Sequence, residues 1–564
     1  MEKNITVQLI KYYLSGHSYR DLLLNLPGPP IGYGGKSINI FKELDRINDL
    51  QHENTFDFYQ NITQLFNSLH CDYALFTTPC FNSFAIIIPY LFRFEIDPIS
   101  GRHIAYGQKY ETLEDLDEKY NISVYGSEIN YINILGLDIY DNETYELNEG
   151  SYTPEEAIVN WANQYEGYYS NPYAKEEYAR TSSFYVRPIM QYVIPQSFNI
   201  TYGYIDHTDS RWKINERSKS MDDYVKVYEF KDSSLSGYFV PSLKLGIIRI
   251  KSFLSEEWDD FQYSLYMIVR QLADKNSPFH SQKILIDLRY SSGGYVRYPY
   301  LIFRFLFPQA DSPIWPQSDW VKSDVNSIYG VISDFQTKFE IEDSDIFLDD
   351  QTGEVIYNYY NLEGSQRTTS VNLDDGVQLS ITVNLTKRAT YYAGHLDKFK
   401  EYSLDWNSFR SVHWQPKDVI TLVNGQTDGP IAMFAKQIHQ KKVGRIVALG
   451  NFGGVHKNTR FDVGSSAGAS AMNNQYIKQF HDLYLEDPDL FKDYEISLDV
   501  FPKPFFRKDS FIQFAHIEFY GTTPKTADYL NEFHIYDADF HINYAEQYGD
   551  LFLEDEDKDY QLYI

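Results

Sequence analysis

The chain has 564 residues, of which 43% are hydrophobic and 17% aromatic, including 50 Tyr and 38 Phe. That length exceeds what a single core supports and predicts two or three domains; the apolar content excludes a mainly disordered chain. A formal net charge of −29 repels phosphate backbones and anionic bilayers, which argues against nucleic-acid binding and against surface membrane binding.

Two cysteines, Cys71 and Cys80, exclude a disulfide scaffold, and both read as buried thiols. The N-terminal stretch MEKNITVQLIKYYLSGHSYR has no apolar core of signal-peptide length, and no run of about 18 apolar residues reads as a spanning helix. The default compartment is therefore cytoplasmic, although Asn-x-Ser/Thr triplets such as that at Asn4 leave secretion open.

In chain order, residues 37–70 predict helix, with Ser37 as cap and Ile40, Phe41, Leu44, Ile47 and Leu50 at helical spacing. The amphipathic run FDFYQNITQLFNSLH ends at His70, and FNSFAIIIPYLFRFEID reads as extended. From about 90 to 185, short strands alternate with turns and end in TPEEAIVNWANQY. There Thr153 suits a cap, Pro154 the first helical position, and Glu156 lies three residues after the cap. Residues 186–224 read as a connection. The aromatics Trp161, Tyr165, Tyr168, Tyr169 and Tyr173 can line a peptide groove or simply pack.

The second half alternates strand and helix. KLGIIRIKSF, KILIDLRY, DVITLVNG and RIVALGNFGG are buried strands, and FQYSLYMIVRQLADK and PIAMFAKQIHQKK are helices. Continuous apolar runs of this kind imply an α/β core whose sheet is covered on both faces. The stretch 308–405, rich in Asp, Tyr and Asn, reads as an insertion or lid, and 546–564 as an acidic tail.

Two strand ends carry the chemistry. KILIDLRYSSGG brings Gly293 and Gly294 to the end of one buried strand, and LVNGQTDGPIAMFA places Gly429 before Pro430 at a helix start. Backbone N–H groups at both places can form an oxyanion hole for acyl transfer. Two ordinary strand-to-loop glycines fit the same letters.

Several motifs occur in one order: FNSLHCDYALFTTPC, GLDIY with TPEEAIVNWAN, LGIIRIKSF, KILIDLRYSSGG, DVITLVNGQTDGPIAMFAKQI, VGRIVALGNFGG and EFHIYDADFHINY. In that order the chain resembles the tail-specific (C-terminal-processing) serine protease family, in its eukaryotic and chlamydial-type branch. The resemblance implies a helical N-terminal segment (1–90), a PDZ-like module (91–185), a connection (186–224) and a crotonase-like protease core (225–545) interrupted at about 308–405. It also implies where a triad would sit, and those positions hold other residues. The nucleophilic serine of the family falls on Gly429 and its neighbouring cysteine on Thr427. The histidine base falls on Tyr73 in LHCDYALF, and the late glutamate on Glu518 in FAHIEFYG. The lysine that the bacterial branch places after Phe-Gly falls on Gly454, after Phe452–Gly453.

A glycine has no oxygen with which to attack a carbonyl, and a phenol with a pKa near 10 is a poor base at neutrality. The expectation is a pseudoprotease that keeps Gly293, Gly294 and Gly429 as binding positions and holds an extended peptide or protein partner. The alternative is an active serine-type peptidase rebuilt around Thr427 or Ser466, with His70 as base. The histidines show no zinc-protease spacing, and no cofactor is implied.

Overall fold

The computed structural model describes, with short interruptions, residues 2–18, 38–109, 128–135, 154–203, 224–356, 366–402, 414–450, 469–520 and 538–542. The chain opens with helices α1 (Glu2–Leu14), α2 (Ile40–Asp49) and α3 (Thr55–Asn67). Ile40, Leu44 and Ile47 of α2 are buried, as their spacing predicts. The predicted cap Ser37 lies outside the described residues. Asn39 caps the helix instead, its Oδ1 accepting from the Lys42 amide at 2.9 Å.

Next come β1 (Leu75–Thr77), β2 (Ala85–Ile87), β3 (Tyr90–Ile96), β4 (His103–Lys109) and β5 (Glu128–Leu135). Helices α4 (Pro154–Tyr165) and α5 (Pro172–Tyr178) follow, and α5 runs into a π-helical turn at Ala179–Ser183. Strands β6 (Val186–Pro188) and β7 (Ser197–Gly203) fall where the sequence predicted only a connection. β6 pairs with β2, and β7 pairs with β5 in a four-stranded antiparallel sheet ordered β3-β4-β5-β7. The strand-rich unit therefore continues to Gly203. The alternation of Phe198, Ile200 and Tyr202 with Asn199 and Thr201 carries the period of two that pairing needs.

The next stretch supplies β8 (Val225–Glu229), β9 (Leu235–Val240), β10 (Leu245–Ile250), α6 (Trp258–Ala273), β11 (Lys283–Asp287) and α7 (Tyr298–Leu306). Then come β12 (Gln317–Asp319), α8 (Asp324–Lys338), β13 (Ile346–Leu348), β14 (Gln366–Asn372), β15 (Gln378–Asn384) and β16 (Ala389–Tyr392). The last elements are β17 (Val419–Asn424), α9 (Gly429–Lys441), β18 (Arg445–Leu449), β19 (Ala469–Asn473), α10 (Asn474–Glu486), β20 (Phe511–Phe519) and β21 (Phe540–Ile542).

Two sheets organise these elements. The larger runs β21-β18-β17-β11-β10-β9-β8, parallel from β21 to β10 and antiparallel across β10, β9 and β8. Ile248, Ile250, Ile284, Ile286 and Val423 pack on one face with Leu265 and Ile268 of α6, Leu301 of α7 and Phe434 of α9. Ile247, Leu285, Leu422 and Leu449 form a smaller cluster on the other face. Burial on both faces explains why these strands read as unbroken apolar runs.

The second sheet runs β1-β20-β12-β16-β13, with β19 also on β20. Its core includes Phe76, Trp320, Tyr391 and Phe514, closed by Val7, Leu44 and Ile62 from the N-terminal helices and Ile328 from α8. Residues 308–405, read as an insertion or lid, supply β12 and β16 as interior strands of this packed sheet and β13 at its edge. These strands are three or four residues long and partly polar, so they leave no periodic signal in the sequence. Among the described residues, no helix is long and apolar enough to cross a membrane.

Candidate functional site

The two strand ends singled out in the sequence belong to neighbouring strands of the larger sheet, since β11 and β17 pair in parallel. Beyond β11, Leu288 donates its amide to the Leu422 carbonyl at 3.0 Å, and Tyr290 donates its own to Asn424 Oδ1 at 3.0 Å. Asp287 is fully enclosed. Burial pushes its carboxyl upward, but the forked contacts of Arg289 at 2.9 Å and the nearby Arg249 outweigh this and hold it below the usual carboxylate range. Gly293 and Gly294 then take φ values of +75° and +110°. A Cβ at Gly294 would lie 2.3 Å from the Phe253 backbone, with which it forms a parallel bridge, so only glycine fits there.

Beyond β17, the chain makes a tight turn into α9. Thr427 is fully buried, and its hydroxyl donates to the Leu288 carbonyl at 2.8 Å while accepting from the Asn424 amide at 3.0 Å. Asp428 precedes the helix and donates its amide to the Ser291 carbonyl at 3.1 Å. Its carboxylate makes no capping bond to α9 but accepts from the Tyr169 hydroxyl at 3.0 Å. Gly429, the first residue of α9, has φ +54°.

Tyr73 approaches from the other sheet, on the turn that leads into β1. A Cβ placed on Gly429 would lie 3.0 Å from the Tyr73 hydroxyl oxygen and 3.6 Å from the Gly293 nitrogen. Three sequence-predicted positions, Gly429, Tyr73 and Gly293, thus meet at one point between the sheets. What meets there is a bare α-carbon, a phenol and a main-chain amide.

The remaining predicted residues fall elsewhere. His70 precedes Tyr73 on the same turn with φ +49°. Its Nε2 lies 3.4 Å from Lys175 Nζ of α5. Burial and then the Lys175 charge push His70 down to about 3, against an opposing contribution from the Glu166 carbonyl. Burial also pushes Lys175 down to about 8, opposed by the Glu166 charge. A neutral imidazole whose accepting nitrogen already faces an ammonium is poorly suited to take a further proton. Thr427 is committed to the turn it stabilises. Its use as a nucleophile would leave a buried carbonyl and a buried amide unmet.

Glu518 lies on β20, its backbone paired with Asp319 and Ala469, and its side chain is outside the described residues. Ser466 and Gly454 also lie outside them. Cys71 is buried, while Cys80 falls outside the described residues.

Sequence reasoning missed Lys175, Glu166 and Asp428. No local pattern marks them, because their roles come from partners more than a hundred residues away or from burial. Tyr169 stood among the flagged aromatics, but its hydroxyl partner did not.

No family model matches the chain, and no curated protein does. Among solved structures, mature CPAF aligns at 11% identity over 96% of this chain and 92% of its own, with a TM-score of 0.44. The photosystem II D1 C-terminal processing protease aligns at 9% identity over 96% of this chain and 93% of its own, with a TM-score of 0.29. A putative peptidase from Parabacteroides merdae covers 57% of this chain and 59% of its own at 10% identity, with a TM-score of 0.24.

Proposed function

We propose that this protein is a non-catalytic relative of the tail-specific serine proteases, whose emptied cleft holds an extended peptide or a segment of a partner protein. One observation carries the reading: the Gly429 α-carbon faces the Tyr73 hydroxyl oxygen and the Gly293 amide, where acyl transfer would need a hydroxyl beside a base.

Losing a nucleophile or its base costs on the order of a millionfold in rate, and an oxyanion site alone retains about 10³–10⁴ over water. The binding half of the machinery needs no side chain at these positions. Gly293, Gly294 and Gly429 take positive φ, a backbone geometry that suits main-chain N–H donation to a ligand, and the start of α9 adds the positive end of its dipole. An extended peptide added to a sheet edge uses such main-chain groups. The substituents that could rebuild catalysis argue in the same direction, since the Thr427 hydroxyl is spent on two backbone partners and the acceptor nitrogen of His70 faces Lys175.

The test is exposure of the full chain to a fluorophosphonate probe and to a denatured, fluorescently labelled polypeptide. Absence of covalent labelling together with saturable polypeptide binding is the expected result. Labelling that is lost on Ser466→Ala or Thr427→Val substitution would assign an active peptidase instead.

A further inference from the structure

Residues 166–183 carry charges that are buried, an unusual state for Lys, Glu and Arg unless they are paired. Lys175, Glu176, Glu177 and Arg180 are each at most 7% exposed. Arg180 forks onto Glu177 with two contacts of 2.8 Å, and Ser183 donates its hydroxyl to Glu166 Oε2 at 2.6 Å. Lys175 reaches instead to His70 Nε2, across 105 residues of chain. The contact needs a neutral ring, because Nε2 must offer its lone pair to the ammonium. An imidazolium there would set two cations 3.4 Å apart in a part-buried place.

His70 also sits on the turn that brings Tyr73 to Gly429. That turn is anchored on one side by the end of α3, where His70 donates its amide to the Asn67 carbonyl, and on the other by β1. Between the anchors, His70 holds a left-handed conformation that an L side chain adopts at a cost. Tyr169, from the same segment as Lys175, bonds Asp428 beside Gly429. One hairpin therefore grips both sides of the point where Tyr73 meets Gly429.

We propose that the His70–Lys175 contact is a proton-operated latch: with a neutral ring it holds Tyr73 against Gly429, and uptake of a proton by His70 frees the Tyr73 turn from the cleft. The latch rests on the geometry of the turn and stands whether or not the cleft has any catalytic or peptide-binding role. The charged groups facing it are Lys175 from α5 and, toward Lys175, the Glu166 carboxylate from the end of α4; the Glu166 carbonyl faces the ring.

The sign follows from linkage. Latched, His70 is pushed down to about 3; released, it regains the ordinary value of 6.5. The released-to-latched ratio therefore grows as pH falls below about 6.5, by about tenfold per pH unit, and levels off near 3. Lys175, pushed down to about 8, is protonated in both states across that window and adds no slope.

The experiment places 3-fluorotyrosine at position 73 of the full chain and follows its fluorine resonance from about pH 7.5 to about pH 4.5, with circular dichroism confirming that the fold persists. A second resonance that grows on acidification supports the latch. His70→Gln, which keeps a neutral polar side chain, should abolish that growth. Lys175→Met, which keeps the stem and removes the ammonium, should show the acid resonance already at neutral pH. A wild-type resonance that stays constant in folded protein overturns the proposal. So does an unchanged titration in His70→Gln, or a Lys175→Met spectrum that matches wild type at both ends. If His70→Gln fails to fold, the Lys175→Met comparison decides alone.

Discussion

Under the proposed reading, position 429 is where one residue closes a chemical route. Its φ of +54° lies where L side chains are strained, and a β-carbon there would come within 3.0 Å of the Tyr73 hydroxyl oxygen. Gly429→Ser should therefore cost about 1–3 kcal/mol in urea unfolding, from backbone strain and displacement of the phenol. Fluorophosphonate labelling should remain at background, since the new hydroxyl would face a phenol rather than an imidazole. Appearance of labelling in this single variant would show that another group supplies the base. A glycine at 429 was legible in the letters, and the resemblance, counted forward through the strand-Asn-Gly pattern, is what assigns a nucleophile to that position. The consequence for Tyr73 was not, because their approach spans more than 350 residues of chain and two sheets.

At the scale of elements, the α4–α5 hairpin is pinned to the start of α9 by the buried Tyr169–Asp428 bond. Tyr169→Phe removes the donor and leaves a carboxylate 7% exposed without it. Hydrogen bonds to charged groups contribute about 1.5–3 kcal/mol, so a loss in that range is expected by urea denaturation at neutral pH. An unchanged midpoint would mean that the hairpin is held by packing alone. Helices α2, α3, α4, α6 and α9 were legible from spacing and caps, whereas α1, α5, α7, α8 and α10 were not read; α4 begins at Pro154 as predicted, and α2 shifts its cap only from Ser37 to Asn39. Four strands of the larger sheet, β10, β11, β17 and β18, were equally plain, whereas β8, β9 and β21 were not read as strands. β7 carried an alternating pattern that its place between two stronger features obscured, and β12 and β16 are too short for any period to show.

For the whole molecule, two histidines held neutral, among the described residues, make stability sensitive to acid. His516 of β20 is enclosed between Tyr329 and Trp320, with ring centroids at 4.0 and 6.2 Å, and burial pushes it down to about 3 against a weaker opposing contribution from the Ser470 carbonyl. His70 lies in the same range. Both folded values lie below the unfolded 6.5, so the unfolded chain takes up protons first as pH falls. The His516 contribution is level above about 6.5 and falls by about 1.4 kcal/mol per pH unit between there and about 3, and His70 adds an equal share only while its turn stays latched. Asp287, held low by its arginines, adds its own loss only below the ordinary carboxylate range. Urea midpoints between about pH 7 and pH 5 should show this slope, and His516→Leu should flatten it by one histidine's share. A slope that survives the substitution would remove His516 from the account.

The amino-acid sequence by itself determined the class of the protein: an acidic α/β chain, with buried parallel strands, amphipathic helices between them, and glycine at the position where the resemblance expects a nucleophile. Those features depend on local spacing and residue chemistry, which are present in the letters. Only the tertiary structure decided that Tyr73, Gly293 and Gly429 share one point, that Thr427 is consumed by its own turn, and that residues 308–405 help build a sheet. It also decided that Lys175 faces His70. Each of these depends on which distant segments are brought into contact and buried together, and burial between elements is a property of the packed chain rather than of any window of it.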